Sequence, residues 1–171
     1  MINYIATATF GLEACVKREV IKLGFENVRT FDGRVEFTGD ERAIPRANLW
    51  LRCAGRVFVK MGEFKATSFE ELFQGTKALP WGDWIAVDGK FTVVGKSVKS
   101  TLHSVPDCQA IVKKAIVEKL KEKYDVDWFD ETGAEYTVQV ALLKDMATLT
   151  IDTSGSGLHK RGYRANALDA P

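Results

Sequence analysis

The alternation of strand-like and helix-like segments over the first 64 residues constrains the fold more than any other feature. The β-branched segment "INYIATAT" is typical of a strand, and "GLEACVKREVIKLG" has apolar residues at helical spacing with Gly24 at its end. Asp32-Gly33 then separates two alternating apolar runs, which indicates a hairpin. A helix over 40–54 is compatible with Pro45 only in its first turn, and the strand-like "RVFVKMGEF" follows. The order β-α-β-β-α-β predicts a ferredoxin-like unit.

The second half of the chain repeats this alternation. Ser68, followed by a glutamate three residues later, predicts a capped short helix, and "KFTVVGKSVKS" predicts a strand. Ser104 and Asp107 are the expected capping pair of a long helix, and two strands joined at Lys144-Asp145 follow. The expected buried stripe of the long helix is Cys108, Ile111, Val112, Ala115 and Leu120. The pattern therefore predicts a second small unit and an α+β or α/β fold class.

The charge distribution is uneven although the formal net charge is only +1. Residues 90–123 carry eight lysines and three acidic residues, whereas residues 125–135 carry five acidic residues and no base. Residues 159–164 add three bases. This asymmetry predicts a basic face on a protein that is not basic overall.

The segment "SGSGLHKRGYR" at residues 154–164 has the glycine content of a phosphate-binding loop but departs from both common motifs. Lys160 stands where a dinucleotide fingerprint needs its third glycine, and Tyr163-Arg164 stands where a P-loop needs Lys-Ser/Thr. No helix-like segment follows it in this sequence. We therefore do not expect a nucleotide site here.

Cysteines and acidic residues give weak signals for metal binding or catalysis. Cys15, Cys53 and Cys108 lie far apart in sequence and outside any CxxC pair, so we expect buried apolar side chains rather than nucleophiles or metal ligands. The acidic segment 125–136 lacks the full ligand pattern of a calcium loop. We predict no metal site and no catalytic residue.

Basic residues at a strand end favour contact with RNA phosphates. Lys96, Ser97 and Lys99 end a predicted strand just before a helix N-terminus, and Tyr163 could stack on a base. On charge alone, a solvated lysine face followed by a tail is the favoured interpretation. The predicted RNA-binding residues are Lys96, Ser97, Lys99, Lys113, Lys114, Lys160, Arg161, Tyr163 and Arg164.

Long stretches of the sequence resemble a known family. "NLWLRCAGRVFVKMGEFKATSFEELFQGTKALPWGDWI", "KFTVVGKSVKSTLHSVPDCQAIVKKAIVEKL" and "TIDTSGSGLHKRGYR" are similar, in this order, to the N-terminal part of bacterial THUMP-domain ribosomal RNA methyltransferases. These are large-subunit guanine-N2 methyltransferases, and some relatives are labelled N6-adenine-specific DNA methylases. The resemblance implies a ferredoxin-like domain over 1–64, a THUMP RNA-binding domain over 65–153, and a junction over 154–171 leading to a methyltransferase domain.

The resemblance also implies that substrate recognition and catalysis lie in different parts of the parent enzyme. The cofactor glycine motif and the catalytic Asn/Asp-Pro-Pro-Tyr-type motif of the family have no counterpart here, so no catalytic or S-adenosylmethionine-binding residue is carried over. We expect the substrate-recognition part of a cytoplasmic methyltransferase, with structured large-subunit ribosomal RNA and the C-terminal methyltransferase domain as partners. S-adenosylmethionine would bind elsewhere in the parent enzyme. No apolar run is long enough to span a membrane, and no secretory signal is recognised.

Two other functions stay open. One is a protein–protein docking module, which exposed side chains of Trp81 and Trp84 would favour. The other is the recognition part of a DNA methylase. A preference for RNA over DNA of the same sequence would separate the second alternative from RNA recognition.

Overall fold

The computed structural model describes residues 1–160, which form two compact units. The first unit comprises Met1–Val59 together with the segment that begins at Thr153, and the second comprises Lys60–Asp152. Each unit has its own helices packed against its own strands.

The first unit has the β-α-β-β-α-β order predicted from the sequence. Its sheet order is β2-β3-β1-β4, and every pairing described between these strands is antiparallel. This is the strand arrangement of a ferredoxin-like fold. The elements are β1 (Ile2–Ala8), α1 (Glu13–Lys22), β2 (Glu26–Phe31), β3 (Arg34–Gly39), α2 (Ala43–Trp50) and β4 (Ala54–Lys65), which continues into the second unit.

Local sequence explains the turns of this unit. Gly33 has a φ of +72° in the β2–β3 hairpin, a conformation that glycine adopts without steric cost. Pro45 is the third residue of α2, so its missing N–H falls in the first turn, where no helical donor is needed. Phe37 forms the centre of the core, with its ring 5.4 Å from that of Tyr4 and 4.7 Å from that of Phe25.

The second unit places two helices against a mixed sheet of order β4-β7-β6-β5. Strands β5 and β6 are parallel and are joined through α4, whereas β6 and β7 form an antiparallel hairpin. Lys144 and Asp145 connect the hairpin with φ values of 50° and 64°, as a tight two-residue connection requires. The elements are α3 (Phe69–Lys77), a 3₁₀ turn (Trp81–Asp83), β5 (Lys90–Val98), α4 (Val105–Tyr124), β6 (Glu135–Leu143) and β7 (Met146–Asp152).

The two predicted helix caps have different outcomes. The Ser68 hydroxyl accepts a hydrogen bond from the Glu71 N–H at 3.2 Å, so the cap of α3 is confirmed. Ser104 precedes α4, but its side chain makes no capping hydrogen bond, and the predicted capping pair is wrong in this respect. Because Pro106, the second helical residue, has no N–H, the Ser104 hydroxyl could cap only through the N–H of Asp107, and it does not accept that N–H.

The buried face of α4 is close to the predicted stripe. Cys108, Val112, Ala115 and Leu120 are buried, but Ile111 is only half-buried and Ile116 is fully buried instead. This face of α4 is covered by both α3 and β5. Among the described residues, no helix is long and apolar enough to cross a membrane.

Candidate nucleic-acid interface

The C-terminal end of β5 presents two lysines to solvent. Lys96 lies within the strand and Lys99 follows it, with a φ of 48° that turns the chain away from the sheet. Both side chains are exposed, and the half-buried Ser97 lies between them. The structure therefore brings together the strand-end residues that the sequence predicted as phosphate contacts.

The loop after these lysines is held by its own hydrogen bonds. The Ser97 hydroxyl donates to the Leu102 carbonyl at 2.6 Å. The Ser100 hydroxyl accepts from the Asp145 N–H at 3.0 Å, and the Asp145 carboxylate accepts from the Thr101 N–H at 2.7 Å. These polar groups order the loop, so the groups it leaves for a phosphate are chiefly the lysine ammonium groups.

A third lysine joins this end of the sheet although it is distant in sequence. The Lys144 N–H donates to the Val98 carbonyl at 3.1 Å, because parallel pairing aligns Val98 with Leu143. Lys144 is exposed and presents its ammonium group on the β6–β7 turn. We call Lys96, Lys99 and Lys144 the strand-end cluster. Sequence reasoning missed Lys144 because only the β5–β6 register places it there.

The two predicted lysines of α4 lie on different sides of that helix. The Lys113 Nζ lies 5.6 Å from the centre of the Phe91 ring on β5, and the Lys114 Nζ lies 5.8 Å from that of Phe73 on α3. Each ammonium group therefore lies at cation–π distance over an aromatic ring, and both residues are exposed. Both residues lie two turns beyond the helix start, which is about 12 Å along the axis.

Ion pairing separates the lysines of this unit into two groups. Lys77 lies 2.7 Å from Glu122, which raises the pKa of this lysine, and Lys119 lies 3.6 Å from the same glutamate. Lys123 lies 3.0 Å from Asp83. Within residues 1–160, by contrast, the strand-end cluster, Lys113 and Lys114 make no salt bridge. Their charge is available to an anionic ligand.

The glycine-rich segment begins as an ordered part of the first unit. The Thr153 N–H donates to the Val57 carbonyl at 3.0 Å, and the Ser154 hydroxyl donates to the side-chain oxygen of Asn48 at 2.7 Å. Leu158 is buried and Lys160 is exposed. Of the predicted contacts in this segment, Arg161, Tyr163 and Arg164 lie outside the described residues.

Two of the three cysteines depart from the expected burial. Cys108 is buried as predicted, but Cys15 and Cys53 are only partly buried. Cys15, Glu19 and Cys53 converge, with their ligand atoms all within 4.8 Å of one another. The pKa of Cys53 is raised to about 12 by a hydrogen bond with Cys15, by burial and by the negative charge of Glu19. Sequence reasoning missed this cluster because the two cysteines are distant along the chain.

Trp81 and Trp84 do not form the exposed pair that would favour the docking alternative. Trp81 is fully buried, and its indole N–H donates to the Thr76 carbonyl at 2.7 Å. Trp84 is half-buried. Trp81 is therefore part of the core of the second unit.

Comparison with protein families finds two adjoining matches. Residues 3–58 match the model of the RlmL ferredoxin-like domain. Residues 66–152 match the model of the THUMP domain.

Curated relatives include named methyltransferases. The chain is 59% identical over 169 residues to a Bacillus subtilis protein named "Putative RNA methyltransferase YpsC", covering 98% of this chain and 44% of the relative. It is 31% identical over 172 residues to "Ribosomal RNA large subunit methyltransferase K/L" of Psychromonas ingrahamii, covering 100% of this chain and 23% of the relative. The chain thus spans less than half the length of these curated relatives.

The solved structures that resemble this chain also include proteins named as methylases or methyltransferases. The crystal structure of a predicted N6-adenine-specific DNA methylase from Listeria monocytogenes superposes with a TM-score of 0.94 at 58% identity, covering 99% of this chain and 45% of that one. The crystal structure of SMU.472, described as a putative methyltransferase complexed with SAH, gives a TM-score of 0.92 at 45% identity and the same coverages of 99% and 45%.

Proposed function

The chain belongs to the THUMP domain family, and from this membership we propose that it is the RNA-recognition part of an S-adenosylmethionine-dependent ribosomal RNA methyltransferase acting on guanine N2. The observation that carries the proposal is a group of exposed lysines in the second unit that make no salt bridge among residues 1–160, and this group includes the strand-end cluster, Lys113 and Lys114. The named RNA methyltransferases among its relatives support the same function.

The proposed interface contacts phosphates rather than base edges. The cluster and the helix lysines occupy separate positions along α4 and β5, so they can reach phosphates at different points of a folded RNA. Side chains cannot read the deep major groove of A-form RNA, and proteins that bind it recognise shape and backbone. Ammonium groups without acidic partners suit this task because no salt bridge must be broken on binding. Lys160, Arg161, Tyr163 and Arg164 are proposed as further contacts.

The methyl-transfer chemistry is assigned to the part of the relatives that this chain does not span. S-adenosylmethionine would bind there, in keeping with the SAH complex of SMU.472. The proposed substrate is large-subunit ribosomal RNA, because the Psychromonas relative carries that substrate in its name. Because bacterial ribosomal RNA is a cytoplasmic substrate, we propose that the protein acts in the cytoplasm. The proposed partner of this chain is the methyltransferase domain.

The DNA alternative has one specific observation in its favour, the name of the Listeria structure. It differs from our proposal in the nucleic acid bound and not in the lysines used. The protein-docking alternative is weakened by the complete burial of Trp81. Nucleic-acid preference is therefore the property to measure.

Fluorescence anisotropy with one RNA hairpin and the DNA hairpin of matching sequence tests the proposal. We expect tighter binding to RNA and a linear fall of the logarithm of affinity with the logarithm of salt concentration. Each phosphate contact contributes about 0.7 to 0.9 to that slope. Tighter binding to the DNA hairpin would favour the DNA alternative, equal affinity for both hairpins would contradict a preference for RNA, and no binding at low salt would contradict a phosphate-binding role for the chain.

A further inference from the structure

We propose that Cys15, Glu19 and Cys53 form a binding site for Zn²⁺ in the first unit. The three side chains come from two segments that are far apart in sequence, and they supply two sulfur ligands and one carboxylate oxygen. This donor set suits a borderline-soft divalent cation and is a poor match for Mg²⁺ or Ca²⁺, which prefer oxygen ligands. The inference is independent of RNA recognition.

Metal binding requires only small movements of these three side chains. The two Sγ atoms and the carboxylate oxygen all lie within 4.8 Å of one another. Zn–S bonds of about 2.3 Å in a tetrahedral site place two sulfurs about 3.8 Å apart. Closing the cluster onto a cation therefore requires shifts on the order of 1 Å, which side-chain rotations can supply.

The fold itself positions the ligands. Cys15 and Glu19 are one turn apart on α1, so their side chains lie on the same face of the helix. One carboxylate oxygen of Glu19, Oε2, accepts the backbone N–H groups of Arg52 at 3.0 Å and Cys53 at 3.1 Å. These bonds hold the residues after α2 against α1, and they orient the carboxylate as outer contacts orient metal ligands elsewhere.

A nucleophilic role fits this cluster less well than metal binding. Reactive cysteines lie in electropositive surroundings that favour the thiolate. Cys53 instead faces the carboxylate of Glu19 and the sulfur of Cys15. The same electron-rich surroundings attract a cation. Three protein ligands leave one tetrahedral position for water, which the partial exposure of both cysteines permits.

Titration of the reduced, chelator-treated full chain with Co²⁺ tests the site, because thiolate ligands give Co²⁺ intense near-ultraviolet charge-transfer absorption. We expect this band to saturate at one Co²⁺ per chain and to disappear when Zn²⁺ is added. Cys53→Ser should weaken Co²⁺ binding at least about 100-fold, since loss of even an outer-shell partner costs about 10- to 100-fold. Glu19→Gln keeps an oxygen acceptor for the backbone N–H groups and should weaken binding at least about tenfold.

Cys108→Ser is the matched control, because Cys108 is a buried thiol of the second unit. This variant should bind Co²⁺ as the parent does, and circular dichroism should show that all variants are folded. Absence of the thiolate band would overturn the proposal, as would a Co²⁺ affinity that Cys53→Ser leaves unchanged or that Cys108→Ser abolishes. A Cys15–Cys53 disulfide that forms under mild oxidation in a chain that binds no metal when reduced would also overturn it. RNA affinity is measured separately, so the two proposals can fail independently.

Discussion

Thr76 on α3 offers a test of the packing described for the second unit. Its side chain is fully buried, and its hydroxyl has no hydrogen-bond partner among the described residues. Valine has nearly the same shape and a similar helix propensity, but it replaces the hydroxyl by a methyl group. We therefore predict that Thr76→Val stabilises the protein, although most core substitutions destabilise.

The size of the effect follows from the cost of burying an unpaired polar group. That cost is about 1–3 kcal/mol. Some of it is offset in the Thr76→Val variant by imperfect packing of the new methyl group, so we expect the free energy of unfolding to rise by about 1 kcal/mol. For a chain of this length, this corresponds to an increase in Tm of about 2–4 °C.

Thr148 on β7 provides the matched control. It is also buried, but its hydroxyl donates to the Glu63 carboxylate at 3.1 Å. Thr148→Val removes a hydrogen bond to a charged group, and we expect it to destabilise by about 1–3 kcal/mol. Urea denaturation followed by circular dichroism measures both variants, with an unchanged m-value required for the comparison. Destabilisation by both variants to a similar degree would refute the assignment of Thr76 as unpaired.

Three further predictions follow from individual contacts. Ser68→Ala should lower the free energy of unfolding by about 1 kcal/mol in the same urea assay, because it removes the N-cap of α3. The pKa of Glu13 lies below its ordinary value because its carboxylate accepts the N–H of Gly33. This group therefore stabilises the fold above its unfolded pKa, and its contribution is lost as the pH falls through the lower folded pKa. Carbon-13 NMR titration should show the low pKa, and Glu13→Gln should reduce the loss of stability in acid. Asp145→Asn keeps an acceptor for the Thr101 N–H but removes a negative charge beside the strand-end cluster. A charge about 8 Å from a phosphate in water contributes about 0.5 kcal/mol, so RNA affinity at low salt should rise about twofold in the anisotropy assay. An unchanged affinity would place the RNA elsewhere.

Local patterns were sufficient to predict most elements of the fold. The hairpin at Asp32-Gly33 and the cap at Ser68 depend on backbone conformations and hydrogen bonds that span only a few residues. Such features can be read along the chain because the interacting groups are close in sequence. The cap at Ser104 is wrong although this residue stands at the predicted N-cap position, because its side chain makes no capping hydrogen bond.

Features that depend on long-range register could not be predicted. Lys144 reaches the end of β5 only because β6 pairs in parallel with β5 after the whole of α4. Cys53 reaches Cys15 through the packing of the residues after α2 against α1. Hydrophobic periodicity predicts neither the pairing of β5 with β6 nor the approach of Cys53 to Cys15. In the sequence, Lys144 and Cys53 therefore carry no signal that separates them from other residues.

The partners of polar side chains could not be predicted from the sequence either. Ser97 and Ser100 have hydroxyls suited to phosphate contact, and the sequence gives no indication that the loop itself uses them. In the same way, nothing in the sequence distinguishes Lys77, which is paired with Glu122, from Lys113, which covers Phe91. The RNA-binding residues therefore stay a prediction, and within residues 1–160 the structure adds that the Ser97 hydroxyl is already hydrogen-bonded to the Leu102 carbonyl.

The most direct test of RNA recognition compares two double charge reversals with the same change in net charge. Lys96→Glu/Lys99→Glu alters the strand-end cluster, and Lys17→Glu/Lys22→Glu alters exposed lysines of α1 in the first unit. Anisotropy with the RNA hairpin over a salt series should show that the first variant binds more weakly. Its salt slope should be smaller by about 1.4 to 1.8, because each of the two lysines neutralises one phosphate in the parent chain. The second variant should keep the parent slope. Equal weakening in both variants, or unchanged binding in the first, would contradict RNA binding at the end of β5.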